Sequence, residues 1–170
     1  MNSKNKNIKL LMLLTVILFC FLQCSGQNPK SNYSTEKQAK TQKDNDHKKL
    51  EEYLLSLSDT LFLKNYDAVL FLSESGCPSC NKSFAAAIEN IILNKNNVLI
   101  ILNAKGQQIN IRPFLSKEVS NIVKDFSSDF YRLNLFFGSG IILLKDGKIE
   151  NIIEISSDKL QEKLTVLKEL

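Results

Sequence analysis

The chain has 170 residues, enough for one domain of ordinary size with some to spare. It carries 22 Lys+Arg against 18 Asp+Glu, a formal charge of +4; Lys4, Lys6 and Lys9 lie in an acid-free N-terminal stretch, and setting them aside leaves +1, well short of the basic balance that marks a nucleic-acid binder. With no Trp, one His, six Gly and three Pro, collagen-like and low-complexity classes and most His-based metal or triad chemistry are excluded, and the four cysteines become the residues to explain.

The N-terminus reads as a targeting segment over residues 1–23. Lys4, Lys6 and Lys9 form a basic head, and Ile8 with the run from Leu10 to Leu22, broken by Thr15, forms an apolar stretch. That stretch is short of the roughly 20 apolar residues a membrane span needs, and it suits a signal-peptide core. Phe21-Leu22-Gln23-Cys24 resembles a relaxed bacterial lipobox, with Gln23 where Gly, Ala or Ser is usual. The resemblance implies that Cys24 is lipidated on sulfur and becomes the mature N-terminus, anchored to a membrane of the bacterial cell envelope. Ordinary secretion, with cleavage after Cys24-Ser25-Gly26, and a retained anchor are the alternatives.

Residues 24–48 are almost free of apolar side chains beyond Tyr33 and Ala39. Such a stretch lacks the apolar surface that offsets ordering entropy, and it reads as a disordered polar tether with a root-mean-square span of about 27 Å. His47, near its end, reads as a solvated loop residue.

The folded domain is expected over residues 49–170. A first helix starts near Asn45 or Asp46, both good caps, and places Leu50, Tyr53, Leu54 and Leu57 on one face. The apolar run Ala68 to Ser73 is consistent with a strand buried on both sides. After Cys77-Pro78-Ser79-Cys80, Phe84, Ile88, Ile91 and Ile92 recur at helical spacing, and Val98 to Asn103 reads as a second strand, parallel to the first through a right-handed crossover. A third helix is expected from Ser116 to Phe126. The aromatic stretch Phe130 to Phe137 reads as packing of undetermined form. Gly140 to Lys145 and Lys148 to Ile155 are strands joined by Asp146-Gly147, a strong hairpin signal. Ser157 or Asp158 caps a last helix carrying Leu160, Leu164 and Leu167.

One motif carries chemistry. Cys77-Pro78-Ser79-Cys80 lies where a buried strand ends and a helix begins. Unpaired N–H groups and the helix dipole favour a thiolate at the first cysteine, and Pro78 suits the first helical turn because its missing N–H would have had no partner there. The spacing puts Cys80 within disulfide reach, so Cys77 is the expected attacking sulfur and Cys80 the resolving one. A static short disulfide and half of a copper or zinc site are the competing readings. No nearby His or Met completes a metal shell.

The element order, AVLFLSESGCPSC and the ending GIILLKDGKI together resemble the thioredoxin-like superfamily over about residues 50–170. The resemblance implies an α/β, thioredoxin-like fold with a central mixed sheet flanked by helices. It also implies disulfide exchange with protein thiols and disulfides of the envelope, needing no metal or organic cofactor, and membership among tethered thiol–disulfide oxidoreductases. The chain departs from the family pattern at three places. Gly76 stands where an aromatic residue usually precedes the first Cys, and Phe71 stands where thioredoxins carry a buried acid. Ser139, within Phe137-Gly138-Ser139-Gly140, stands at the family's cis-proline. Ser139 and Gly138 are thus the expected substrate-docking loop, and Glu74 is expected to be exposed. A binding or scaffold module with a static Cys77–Cys80 disulfide is the alternative function.

Overall fold

A computed structural model describes residues 31–91, 95–115 and 121–170 of the chain. The expected signal segment, Cys20 and Cys24 lie outside these residues. The chain divides into two compact units, Met1–Lys40 and Thr41–Leu170. The described part of the first, from Ser31 on, is helical.

In chain order the elements are α1 (Ser31–Leu57), a 3-10 turn (Leu63–Asn65), β1 (Ala68–Ser73), α2 (Pro78–Ile91), β2 (Val98–Asn103), α3 (Arg112–Leu115), β3 (Ile122–Lys124), a second 3-10 turn (Asp129–Leu133), β4 (Gly140–Lys145), β5 (Lys148–Glu154) and α4 (Leu160–Glu169). The five strands form one mixed sheet in the order β3-β2-β1-β4-β5. β1 lies at the centre, parallel to β2 (Ala68 opposite Val98) and antiparallel to β4 (Phe71 opposite Gly140). All six residues of β1 are buried, as a strand covered on both faces requires. This is the α/β architecture, a mixed sheet flanked by helices, consistent with a thioredoxin-like fold.

Strand alternation sorts the core into two layers. Ala68, Leu70, Leu72, Val98, Ile100, Leu102 and Ile141 pack beneath Phe84 and Ile88 of α2 and Leu167 of α4. Val69, Phe71, Leu99, Ile101, Ile142 and Leu144 pack beneath Leu50, Tyr53 and Leu54 of α1 and Phe130 and Leu133 of the second 3-10 turn. The β4–β5 hairpin closes as its sequence predicts. Asp146 and Gly147 both have positive φ (51° and 73°), the signature of the tight turn that Asp-Gly favours. A Cβ at Gly147 would stand 2.9 Å from the backbone of Lys64, so that position requires glycine for space as well.

Three expectations are corrected. The first helix begins at Ser31 instead of Asn45 or Asp46, so residues 31–48 of the expected tether are helical. A helix anchored by Leu50, Tyr53 and Leu54 extends at one hydrogen bond per added residue, and Glu36, Lys37, Gln38, Ala39 and Lys40 are strong helix formers. Near the end of that stretch Lys43 donates to the Glu150 carbonyl (2.5 Å), and His47 Nε2 lies 2.7 Å from the Gly147 carbonyl, so the histidine is half-buried against the hairpin turn.

The helix expected over Ser116 to Phe126 is replaced in part by strand β3, residues 116–120 lying outside those described. Ile122 and Val123 are β-branched and find a free sheet edge, where Ile100 N–H donates to Asn121 O and Asp125 N–H to Leu102 O (2.8 and 3.1 Å). The last helix starts at Leu160, with Lys159 and not Ser157 or Asp158 at its cap, in the left-handed region at φ 49°.

Candidate functional site

β1 carries the chain to the carboxyl edge of the sheet, the side on which open α/β sheets bind their ligands. Glu74, Ser75 and Gly76 make the turn, and α2 starts at Pro78. Pro78 occupies the first helical position, as its chemistry favours. Cys77 then stands at the N-cap. Asn81 N–H donates to the Cys77 carbonyl (3.0 Å), and Cys80 N–H donates to Cys77 Sγ (3.3 Å). The sulfur therefore fills the role that a Ser or Asp oxygen plays at an ordinary N-cap, accepting from the third helical N–H. Ser79 Oγ lies 3.5 Å from the same sulfur.

Cys77 and Cys80 form a disulfide with Cα atoms 5.3 Å apart. The two sulfurs are unequal. Cys80 is 1% exposed and packs in the aliphatic layer with Phe84, whereas Cys77 is half-buried at the surface of that layer. An incoming group can reach Cys77, and Cys80 is shielded by the helix that carries it. Among the described residues no group of three or more His, Cys, Asp or Glu side chains could hold a metal ion, and no helix is long and apolar enough to cross a membrane.

The expected docking loop is built differently from what its sequence position suggests. Ser139 is fully buried, and its hydroxyl is used inside the protein: it accepts from Ser73 N–H (3.0 Å) and donates to the Ser73 carbonyl (3.3 Å). Gly138 lies against the turn before Cys77. A Cβ at Gly138 would meet Ser75 O at 3.1 Å, and one at Gly76 would meet Gly138 Cα at 3.2 Å. Gly76 has φ +83° and Gly138 φ +105°, so conformation and close approach both call for glycine at these two positions. The surface of this loop is supplied by Phe137, which is 64% exposed.

Glu74, expected to be exposed, is half-buried and engaged. Its carboxylate accepts from Lys105 N–H (3.1 Å) and Gln108 N–H (2.8 Å). Desolvation opposes its charge, but backbone N–H groups of Gln108, Lys105, Gln107 and Ile109 outweigh it and hold the carboxyl below the usual range. Glu74 thus pins the loop after β2 to the turn before Cys77. Alongside, the outer face of α2 and Gln108–Asn110 border an open cleft of about 320 Å³, with Lys82 and Glu89 on its α2 side.

Sequence reasoning missed four residues here: Ser73, Asn81, Tyr131 and Glu74 in its true role. Ser73 was visible as a polar residue closing an apolar run. Nothing local marked its partners, because Tyr131 comes from 58 residues away and Ser139 from 66. Comparison of the chain with protein-family models, curated proteins and solved structures finds no match.

Proposed function

We propose that the protein is a thiol–disulfide exchange protein of the thioredoxin-like kind, acting on protein thiols and disulfides of a bacterial cell envelope. The observation that carries this reading is the inequality of the pair: a reachable Cys77 capping a helix N-terminus, disulfide-bonded to a buried Cys80. A static staple gains little from so short a loop and has no need of one sulfur placed where a thiolate is stabilised.

The chemistry balances with the two cysteines alone. In the reduced protein the Cys77 thiolate attacks one sulfur of a substrate disulfide, and a mixed disulfide forms as one substrate thiolate leaves. Cys80 loses its proton and attacks Cys77 Sγ. The second substrate thiolate departs, and the Cys77–Cys80 disulfide remains, two electrons having passed to the substrate. The reverse sequence oxidises a substrate dithiol. The N-terminal basic and apolar segment, with Cys24 in a lipobox-like context, supports export and a lipid anchor as the placement of this domain.

Reduction of insulin by the dithiol form, and equilibration against glutathione, test the reading. Exchange should be lost in Cys77→Ser, and the couple should fall between about −120 and −300 mV. A couple outside that window, or insulin reduction that survives Cys77→Ser, overturns it. A second reading is favoured by one observation, the burial of Ser139 at the expected docking position. In that reading the domain is a binding module with a static disulfide: Cys77→Ser/Cys80→Ser leaves cell phenotype unchanged, and deletion gives a phenotype with wild-type envelope disulfide profiles. Fatty-acid labelling lost in Cys24→Ala tests the anchor.

A further inference from the structure

We propose that the hydroxyl network Ser139–Ser73–Tyr131 is a positioning device for the Cys77 sulfur, holding the turn that delivers it to the start of α2. The inference rests on the exchange reading above and assigns Ser139 and Tyr131 a part in it.

Where β1 leaves the sheet, its backbone groups lose ladder partners and must find others. Side chains supply them. Ser73 N–H donates to Ser139 Oγ (3.0 Å), and Ser139 Oγ donates to Ser73 O (3.3 Å). Ser75 N–H donates to Ser73 Oγ (2.9 Å), which also pairs with the Tyr131 hydroxyl. Ser75 O accepts from Asn81 Nδ2 (2.6 Å). The N–H and C=O groups of both Ser73 and Ser75 are thereby held by side chains, one residue short of the Gly76–Gly138 backbone contact and two short of Cys77.

Ser73 and Ser139 are fully buried and Asn81 is 1% exposed. Burying polar side chains is unfavourable unless each is bonded, and small apolar residues would fill the same volume at lower cost. Among the described residues, three of the five buried polar side chains stand on this one approach to a cysteine. What they hold in place is the N–H to sulfur contact between Cys80 and Cys77 (3.3 Å), whose stabilisation of a thiolate depends on geometry. Tyr131 ties the network to the opposite layer. Its ring meets Phe71 edge-on (centroids 6.0 Å) and lies 5.6 Å from exposed Phe137.

The test is the pH profile of alkylation of Cys77 in the reduced full chain, read by intact mass, for wild type, Tyr131→Phe, Ser139→Ala and Tyr53→Phe. Tyr131→Phe removes one hydroxyl from a half-buried site and preserves the ring, so it keeps the test readable where Ser139→Ala fails to fold. Tyr53→Phe removes a buried hydroxyl elsewhere and controls for stability. The expected result is an apparent Cys77 pKa raised by about 0.5 units or more, with alkylation near pH 7 slowed about 3-fold, in the two network variants and not in Tyr53→Phe. Unchanged profiles in both network variants, or equal shifts in all three, overturn the inference. A wild-type Cys77 that titrates near the free-thiol value of about 8.5 and exchanges with no protein disulfide sinks the exchange reading instead.

Discussion

The two layers against the sheet are made of different material. The layer beneath α2 and α4 is aliphatic, and Cys80 is embedded in it among Leu70, Leu72, Ile100 and Phe84. The layer beneath α1 holds an aromatic cluster set among aliphatic side chains. Phe71 and Phe130 stack at 3.6 Å with an interplanar angle of 17°, Phe136 and Tyr53 pack around them, and a buried carboxylate, Asp125, accepts from the Tyr53 hydroxyl at 2.5 Å. The contrast separates two tasks. Cys80 rests on an apolar bed, and in the proposed exchange Cys77 is tuned by the helix N-terminus and the turn before it. A hydrogen-bonded titratable pair, Tyr53 and Asp125, lies in the other layer. The hydroxyl network at Ser73 reaches Tyr131, which packs against this second layer.

The largest test of this division is truncation of the aromatic stack. Phe130→Ala should lower unfolding free energy by about 3–5 kcal/mol, measured by urea denaturation. A loss below about 1 kcal/mol would mean that the stack is not a core element. Next is Gly140→Ala. The added Cβ would meet the Phe136 ring at 2.5 Å, and β4 is too well paired to yield. A cost of about 1–3 kcal/mol is expected in the same assay; a neutral substitution would show that Phe136 swings freely.

The third test concerns pH. Burial favours the neutral form of Asp125, but hydrogen bonds from Ser127, Tyr53 and Phe130 outweigh it and lower its pKa. Burial and the bonded Asp125 raise the Tyr53 hydroxyl well above its usual value. A lowered folded-state carboxyl contributes stability that is fully present above its unfolded pKa of about 3.9 and is lost as pH falls through the folded value. A raised tyrosine contributes stability that is present below its unfolded pKa of about 10 and is lost as pH rises past it. Urea midpoints against pH should therefore show a plateau between these limits. In Tyr53→Phe the alkaline decline should shrink, and the acid decline should weaken. Parallel wild-type and variant curves at both ends would place the pH dependence outside this pair.

The smallest effect belongs to Glu74. Glu74→Gln should cost about 1 kcal/mol or less, because its bonds to Lys105 and Gln108 lie at the surface. Amide exchange at residues 105–109 should accelerate while Cys77 alkylation stays unchanged. A shift in the Cys77 profile would mean that the turn is also held from the β2 side.

Elements with strong local signals were legible in the sequence. β1, β2, the Asp146-Gly147 hairpin and α2 follow their runs and turn residues, because a six-residue apolar run flanked by polar turns has few alternatives. The helix expected over Ser116 to Phe126 gives way to β3 because three residues at a sheet edge carry too little pattern of their own to mark a strand. α1 starts earlier than its sequence suggests because a solvated helix and a coil share a polar composition. The aromatic stretch after Asp129 was seen as packing but not as a 3-10 turn, whose form follows from what it packs against.

The sequence by itself determined where the candidate reactive pair stands. A CxxC pair between a buried strand and a helix follows from local periodicity, and the chain held no rival set of chemical groups. Only the tertiary structure decided that Ser139 turns inward to Ser73 and that Glu74 binds the loop after β2. Those outcomes depend on pairings across 31 to 66 residues. A hydroxyl or carboxylate pairs with whatever donor or acceptor folding brings beside it, so its identity alone carries no address.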